Sequence, residues 1–286
     1  MSKSKSDIGP LLNEQKNLTS NSKEMSNILA ELYAKVFSTP ITNVTSNTVF
    51  QGEKPYRKLS ITEEDLIKAI NELSPSAAKG PDNFPALLLK NCKEELIEPL
   101  LKLWKTSFHE GTVPSKLKKC MITPSHKGGS KAEAANYRPI ALTSHIIKIF
   151  EKVLRNHLTN YMDENSLFNP NQHGFRKGHS CLSELLDHYD NILDFLNNNM
   201  NVDVIYLDFA KAFDKVNYGV VLQKIKCLGV DDETLKWLTS FLTGRNQTVV
   251  VNGHSSDPKL VISGVPQGSV LGPLIFQILL ADVEKR

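Results

Sequence analysis

The sequence predicts an α/β (α+β) protein in which amphipathic helices outnumber a few short strands. Three observations predict it. Apolar residues recur at three- and four-residue spacing between residues 25 and 158 and again between 218 and 242, the period of a half-buried helix. Residues 120–123, 204–207, 247–251 and 259–262 are short runs of strand length, and Asn252-Gly253 separates the last two with a hairpin signal. A composition of 40% hydrophobic and 23% charged residues over 286 positions allows one large domain or two modest ones with a sizeable core.

Residues 1–24 are polar and sparse in apolar side chains, so they read as a flexible lead-in. At 25–37, Ile28, Leu29, Leu32, Tyr33, Val36 and Phe37 share a helical face, and 40–58 reads as a linker. Thr62 is the N-cap of a helix whose first turn holds Glu63, Glu64 and Asp65, with Leu66, Ile67, Ile70 and Leu73 facing inward. A turn at Lys79-Gly80-Pro81-Asp82 leads to helices over 85–92 and 94–110. The second carries Ile97, Leu100, Trp104 and Phe108 and stops at Gly111. After a strand at 120–123, Ser144 begins a helix carrying Ile147, Phe150, Leu154 and Leu158. A polar connector with Gln172-His173-Gly174-Phe175-Arg176-Lys177-Gly178 precedes a helix over 180–197, and Val204-Ile205-Tyr206-Leu207 follows as a buried strand. Beyond Asp214, Val221, Ile225 and Leu228 mark a helix ending at Gly229. Asp231 or Asp232 caps the next, with Trp237, Leu238 and Phe241, before Gly244. The turn Ser263-Gly264-Val265-Pro266-Gln267-Gly268-Ser269 then opens an apolar helix through Leu280.

Bulk properties exclude some function classes. A net charge of +3 is too small to argue for a nucleic-acid partner by itself. Cys92, Cys120, Cys181 and Cys227 lie far apart, as in a reduced intracellular protein rather than a disulfide scaffold. His179 and Cys181 are close, but no second ligand pair has zinc spacing. The N-terminus has no apolar leader and no stretch is long enough to span a bilayer, so no membrane association is expected.

Three stretches could carry chemistry. A strand that ends in Asp208 can present a metal ligand to a phosphate, or simply finish in a turn. Lys116, Lys118, Lys119, Lys127, Lys131 and Arg138 surround a short strand and the pair Gly128-Gly129, which suits a polyphosphate or nucleic-acid backbone as well as a solvated loop. The turn at 263–269 could expose backbone amides and the Gln267 side chain to a cleft, or be a plain strand-to-helix corner.

Taken in order, these motifs resemble the reverse transcriptase domain of non-LTR (LINE-type, jockey-like) retrotransposons. The resemblance rests on Gly80-Pro81-Asp82, Val113-Pro114, Asn136-Tyr137-Arg138-Pro139-Ile140, Gln172-His173-Gly174-Phe175-Arg176, the stretch from Asp208 to Asp214, and Gly264-Val265-Pro266-Gln267-Gly268-Ser269. It implies a right-hand polymerase fold with helical fingers and a partial palm, the thumb absent. The implied division is a polar linker with one amphipathic helix over 1–60, a helical extension of the fingers over 61–112, and the polymerase domain over 113–286. It also implies RNA-directed DNA synthesis by two Mg²⁺ ions on deoxynucleoside triphosphates, with an RNA template and a DNA primer. Asp208 matches the catalytic, metal-binding carboxylate, and the Phe209 carbonyl is expected beside the metal. Phe213 matches the aromatic beneath the sugar, where a bulky ring excludes a 2′-hydroxyl. Lys127, Arg138 and, as a further phosphate contact, Lys211 match triphosphate-binding positions, and Gln267 and Gly268 match the segment on the nucleotide and template. Phe175, Arg176 and Lys177 are expected at the nucleic acid, and Asp214 as a cap for the helix that follows.

The family's second carboxylate motif, an aromatic-x-Asp-Asp hairpin, has no counterpart before the final Ala281-Asp282-Val283-Glu284-Lys285-Arg286. The chain is therefore expected to be a truncated polymerase domain, inactive on its own, since one carboxylate cannot hold two ions. Asp282 is expected at a frayed terminus. Two other readings stand beside it: a non-catalytic nucleic-acid-binding remnant, and a relative of intron-encoded or telomerase-type polymerases. For the family, the nucleus and cytoplasm are the expected compartments.

Overall fold

The computed structural model describes residues 8–39, 41 and 54–282. In chain order it contains β1 (Leu11–Leu12), β2 (Leu18–Thr19), α1 (Ser22–Ala34), α2 (Glu63–Asn71), α3 (Ala86–Asn91), α4 (Lys93–Glu110), β3 (Lys119–His126) and β4 (Tyr137–Leu142). Then come α5 (His145–Glu164), α6 (Cys181–Asn197), α7 (Tyr218–Cys227), α8 (Asp232–Leu242), β5 (Arg245–Val251), β6 (His254–Ser255), β7 (Lys259–Val261) and α9 (Gly272–Leu280). The mixed α/β class holds.

Helices start where a polar side chain can satisfy their free amides. Thr62 and Asp65 exchange hydrogen bonds in a capping box at α2, and Ser180 and Ser183 do so at α6. Ser144 caps α5, and Asp231 rather than Asp232 caps α8 through a 2.8 Å bond from the Thr234 amide. Gly111, at φ 65, closes α4 in the left-handed conformation.

The sheet runs β4-β3-β5-β6, with β7 also on β5. β3 is antiparallel to β4 and parallel to β5, so the crossover between β3 and β5 holds α5 through α8. β3 continues past the expected end at Thr123 to His126, although it contains Pro124. Its pairing with β5 stops at Ile122. Beyond that point β3 has an open edge, where a residue lacking an N–H is tolerated. Asn252 and Gly253, at φ 47 and 84, make the tight turn from β5 to β6.

Two cores result. The larger one joins α2, α3, α4, α5, α7, α8 and α9, and Trp104, Phe150, Trp237 and Phe241 are fully buried at its centre. Trp104 stacks on Phe150 at 4.7 Å, and Trp237 packs 4.6 Å from the same ring. The smaller one sets Leu11, Met25, Leu29, Ala30 and Tyr33 against Cys120, Ile122, Tyr137, Ala141, Val249 and Val251 of the sheet.

That second core corrects the expectation of a flexible lead-in, read over 1–24, for its described residues 8–24, and it docks the helix that follows. Few apolar side chains are needed to dock a segment when a sheet face is open, and Leu11 and Leu29 are both at 0% exposure. Residues 1–7, 40 and 42–53 of the expected linker lie outside the described residues.

A second correction concerns Val204, Ile205, Tyr206 and Leu207, which form no strand. Ile205, Tyr206 and Leu207 are 82%, 79% and 88% exposed. An extended run becomes a strand only when a neighbour completes its hydrogen bonds, and among the described residues no strand pairs with it. A 3.0 Å bond links Tyr206 Oη to His188 Nε2 of α6, a helix with no buried residue.

Candidate functional site

Two loops far apart in sequence form one unit. The Val265 N–H donates to the Phe213 carbonyl at 2.9 Å, the Gly264 N–H to the Val216 carbonyl at 2.8 Å, and Ser263 Oγ to the Asp214 carbonyl at 2.9 Å. Gly264 permits this approach: at φ 83, a Cβ there would lie 2.6 Å from the Asp214 carbonyl oxygen. The same loop is held from two further sides. The Ala141 N–H of β4 donates to the Gln267 carbonyl at 2.9 Å. Glu151 Oε2 of α5 accepts from the Val270 and Leu271 amides at 2.7 and 3.1 Å, in front of α9.

Beside this unit lies a cavity of about 390 Å³, within the size range of small-ligand sites. Lys127 follows β3, Arg138 lies on β4, and Lys211 stands on the turn at 210–215; all three line the cavity together with Asp214 and Gln267. Lys211 has φ 54, a left-handed conformation that costs a non-glycine residue about 1–2 kcal/mol. Strain of that kind collects at functional sites. Leu32, Tyr33, Val36 and Phe37, at and beyond the end of α1, supply an apolar wall. The cleft therefore presents three cations, one carboxylate, the two carboxamides of Gln247 and Gln267, and an apolar side.

Asp214 is the residue that sequence reasoning misplaced. It does not cap α7: Asn217 does, accepting from the Val220 amide at 3.3 Å. The Asp214 amide is instead drawn into a turn by the Lys211 carbonyl at 3.0 Å, which turns the side chain to the cleft, upstream of the helix's first free amides. Its Oδ1 and Oδ2 accept from Gln267 Nε2 at 3.3 and 3.4 Å. Burial raises its pKa above the ordinary carboxylate value, while the Gln267 hydrogen bond and the Lys211 charge act to lower it. Nothing local signals this contact, because the partner lies 53 residues away.

Phe213 sits between rings. Phe276 of α9 stacks on it at 5.0 Å, and Phe175 meets it edge-on at 5.9 Å. The loop bearing Phe175 is pinned by Gln277 Nε2, which donates to the Gly174 carbonyl at 2.9 Å, and by buried His173, 2.8 Å from Ser183 Oγ and 3.1 Å from Asp187. Arg176 is committed inward, 4.6 Å over the Phe168 ring and 3.4 Å from Asp163, whereas Lys177 is exposed. Gly268 is exposed beside Gln267, at φ 113.

Asp208 and Phe209 do not join this assembly; both are exposed on the unpaired run. Among the described residues no three His, Cys, Asp or Glu side chains converge to hold a metal ion. The donor set around Asp208 therefore does not fit a two-metal centre. Asp282 is not frayed: it is 2% exposed and ion-paired with buried Lys224 of α7.

The comparisons with known proteins agree with the sequence reading. Residues 125–286 match the family model for reverse transcriptase (RNA-dependent DNA polymerase). The probable RNA-directed DNA polymerase from transposon BS of Drosophila melanogaster is 30% identical over 243 residues, covering 82% of this chain and 26% of that protein. The RNA-directed DNA polymerase from mobile element jockey of the same fly is 28% identical over 225 residues, covering 78% and 24%. The probable RNA-directed DNA polymerase from transposon X-element is 29% identical, covering 77% and 24%. The chain thus spans about a quarter of the length of these non-LTR retrotransposon relatives. A solved partial Cas6-RT-Cas1–Cas2 complex overlaps 78% of this chain and 33% of its own, at 17% identity and a TM-score of 0.42, too low a likeness to carry an argument. The family match takes in more than half of the sequence, and the chain belongs to the reverse transcriptase (RNA-dependent DNA polymerase) family.

Proposed function

We propose that the cleft between Lys127, Arg138, Lys211 and Gln267 binds the triphosphate of an incoming deoxynucleotide, within a polymerase domain that copies an RNA template from a DNA primer. The observation that carries this reading is the convergence on one cavity of three cations from three separated segments, with a glutamine from a fourth. Phosphoryl transfer asks the protein mainly for positioning and for positive charge around phosphate oxygens. Arg138 offers a planar fork and Lys127 and Lys211 offer point charges. Phe213, stacked on Phe276, supplies a rigid ring for the sugar. Phe175 and Lys177, with Gly268, face the nucleic acid in this reading, and Arg176 supports their loop. A right-hand arrangement of fingers and palm belongs to the same reading, as do the division at residues 60 and 112 and an intracellular setting.

The family generally uses divalent metals. Asp208 and the Phe209 carbonyl are our candidates for one side of such a site, but the described residues do not complete it, and no step is derived through it. That observation favours a second reading, binding of nucleic acid without catalysis.

One set of measurements tests both. Replacing Lys127 and Arg138 with alanine is expected to weaken dGTP binding and RNA–DNA duplex binding by about tenfold or more at 100 mM salt. It should also flatten the salt dependence, by a slope of about one for each phosphate that is no longer neutralised. Unchanged affinity and slope in the double variant would sink the cleft assignment. Primer extension with Mg²⁺ separates the two readings: none is expected from this chain, and extension abolished by Asp208→Ala would show that the metal site is complete.

A further inference from the structure

We infer that Asp214 is a positioning residue for Gln267. Its carboxylate turns the glutamine carboxamide so that the amide nitrogen faces Asp214 and the carbonyl oxygen is left for the occupant of the cleft. This inference rests on the reading of the cleft as a nucleotide site and assigns a role to a residue which that reading leaves idle.

The hydrogen bonds are longer than ideal, but their chemistry is fixed. Both Asp214 oxygens lie 3.3 and 3.4 Å from Gln267 Nε2. An ionised carboxylate only accepts hydrogen bonds, so the NH₂ end of the carboxamide is the end that can face it. The two backbones are held together independently of these side chains. Val265 bonds to Phe213, Gly264 to Val216, and Ser263 Oγ to the Asp214 carbonyl, while Ala141 holds the Gln267 carbonyl from β4. Gly264 allows that packing, because any side chain there would meet the Asp214 carbonyl. Little conformational freedom is left to lose when the carboxylate and carboxamide meet.

The polarity of the cleft gives the pairing a purpose. Lys127, Arg138 and Lys211 are all donors, and they line the cavity with both residues. Free to rotate, Gln267 could present either end of its amide. With Nε2 engaged, it presents an acceptor beside the three cationic donors, in a cleft that Gln247 and Asp214 also line. The matched occupant carries phosphates toward the cations and a hydrogen-bond donor, a sugar hydroxyl or a base amine, toward Gln267. Lys211 favours the ionised form of Asp214 against the burial that opposes it.

The test is calorimetric titration of the full chain with dGTP and Mg²⁺, paired with the side-chain amide spectrum of Gln267 by ¹⁵N NMR. Asp214→Ala is expected to weaken dGTP binding about fivefold, the scale of one ordinary hydrogen bond. Asp214→Asn should restore affinity to within about twofold, since its Oδ1 accepts from the same N–H. Gln267→Ala should match Asp214→Ala, and the double variant should be no weaker than Gln267→Ala alone, because the carboxylate acts through the amide. The Gln267 NH₂ signals should move in Asp214→Ala and return in Asp214→Asn. Additive losses in the double variant, or NH₂ signals unmoved by Asp214→Ala, would overturn the inference while leaving the nucleotide reading intact. Absence of saturable dGTP binding by the unaltered chain would overturn the nucleotide reading, and the NH₂ spectrum would still decide the Asp214–Gln267 pairing.

Discussion

Glu151 carries a negative group where water does not reach. It has 0% exposure, its Oε2 holds the Val270 and Leu271 amides, and its Oε1 has no partner among the described residues. Burial raises its pKa above the ordinary carboxylate value, with the Leu271 amide, the Arg245 charge, the Val270 amide and the Lys148 charge pulling part of the way back. Since the folded pKa is raised, folding takes up a proton between the unfolded and folded values. The group's favourable contribution is full below the unfolded pKa and declines as pH rises toward the folded one. Glu151→Gln keeps an acceptor for both amides and cannot ionise. Its stability relative to the unaltered chain is therefore expected to improve as pH rises from 4 to 8, as read from urea midpoints. Glu151→Ala strands two buried amides and should cost about 2 kcal/mol at pH 4, with the cost shrinking as pH rises toward 8. A Glu151→Gln difference that is flat with pH would show that the carboxyl titrates as it does in water. Residues of this kind were only half legible in the sequence. Thr62, Ser144 and Gly111 declared their roles because a cap acts within its own turn. Asp214 and Glu151 were silent because their partners lie 53 and 119 residues away.

Among the secondary-structure elements, the same division between local and distant information explains what was read and what was missed. Helix stripes and the Asn252-Gly253 turn emerged close to their expected bounds, since periodicity and turn chemistry are local. The run from Val204 to Leu207 has strand composition, but composition does not supply a pairing partner, and the run stands exposed. It adjoins α6, where Leu182, Leu185, Leu186, Tyr189 and Leu193 are all more than half exposed. Apolar surface of this extent promotes association. These side chains support no core of the described structure, so replacing them should not weaken the fold. Leu185→Lys with Leu193→Lys is expected to leave the melting temperature within about 2 °C while reducing both self-association in sedimentation and dye binding to exposed apolar surface. A large fall in melting temperature would show that α6 is packed in solution.

Across the molecule, the segment from 8 to 39 links the sheet to the site. Its α1 covers the sheet face, Tyr33 Oη donates to the Tyr137 carbonyl at 3.4 Å, and the Ser38 N–H donates to Ser263 Oγ at 2.8 Å, one residue before Gly264. Two kinds of interaction could hold it. One is burial of Leu29 and Leu11 at 0% exposure. The other is the surface ion pairs of Lys23 with Asp257 and Lys259 with Glu31. Their magnitudes decide between them. Removing a fully buried leucine side chain costs about 2–5 kcal/mol, whereas exposed pairs are screened and often contribute nothing measurable. Leu29→Ala is therefore expected to lower the urea midpoint strongly and, by loosening the hydrogen bond between Ser38 and Ser263, to weaken dGTP binding as well. Lys259→Ala should leave both unchanged. Equal losses from the two variants would mean that surface charge holds α1 to the sheet. A loss of stability in Leu29→Ala without any loss of dGTP binding would separate the segment's structural role from the cleft it helps to wall.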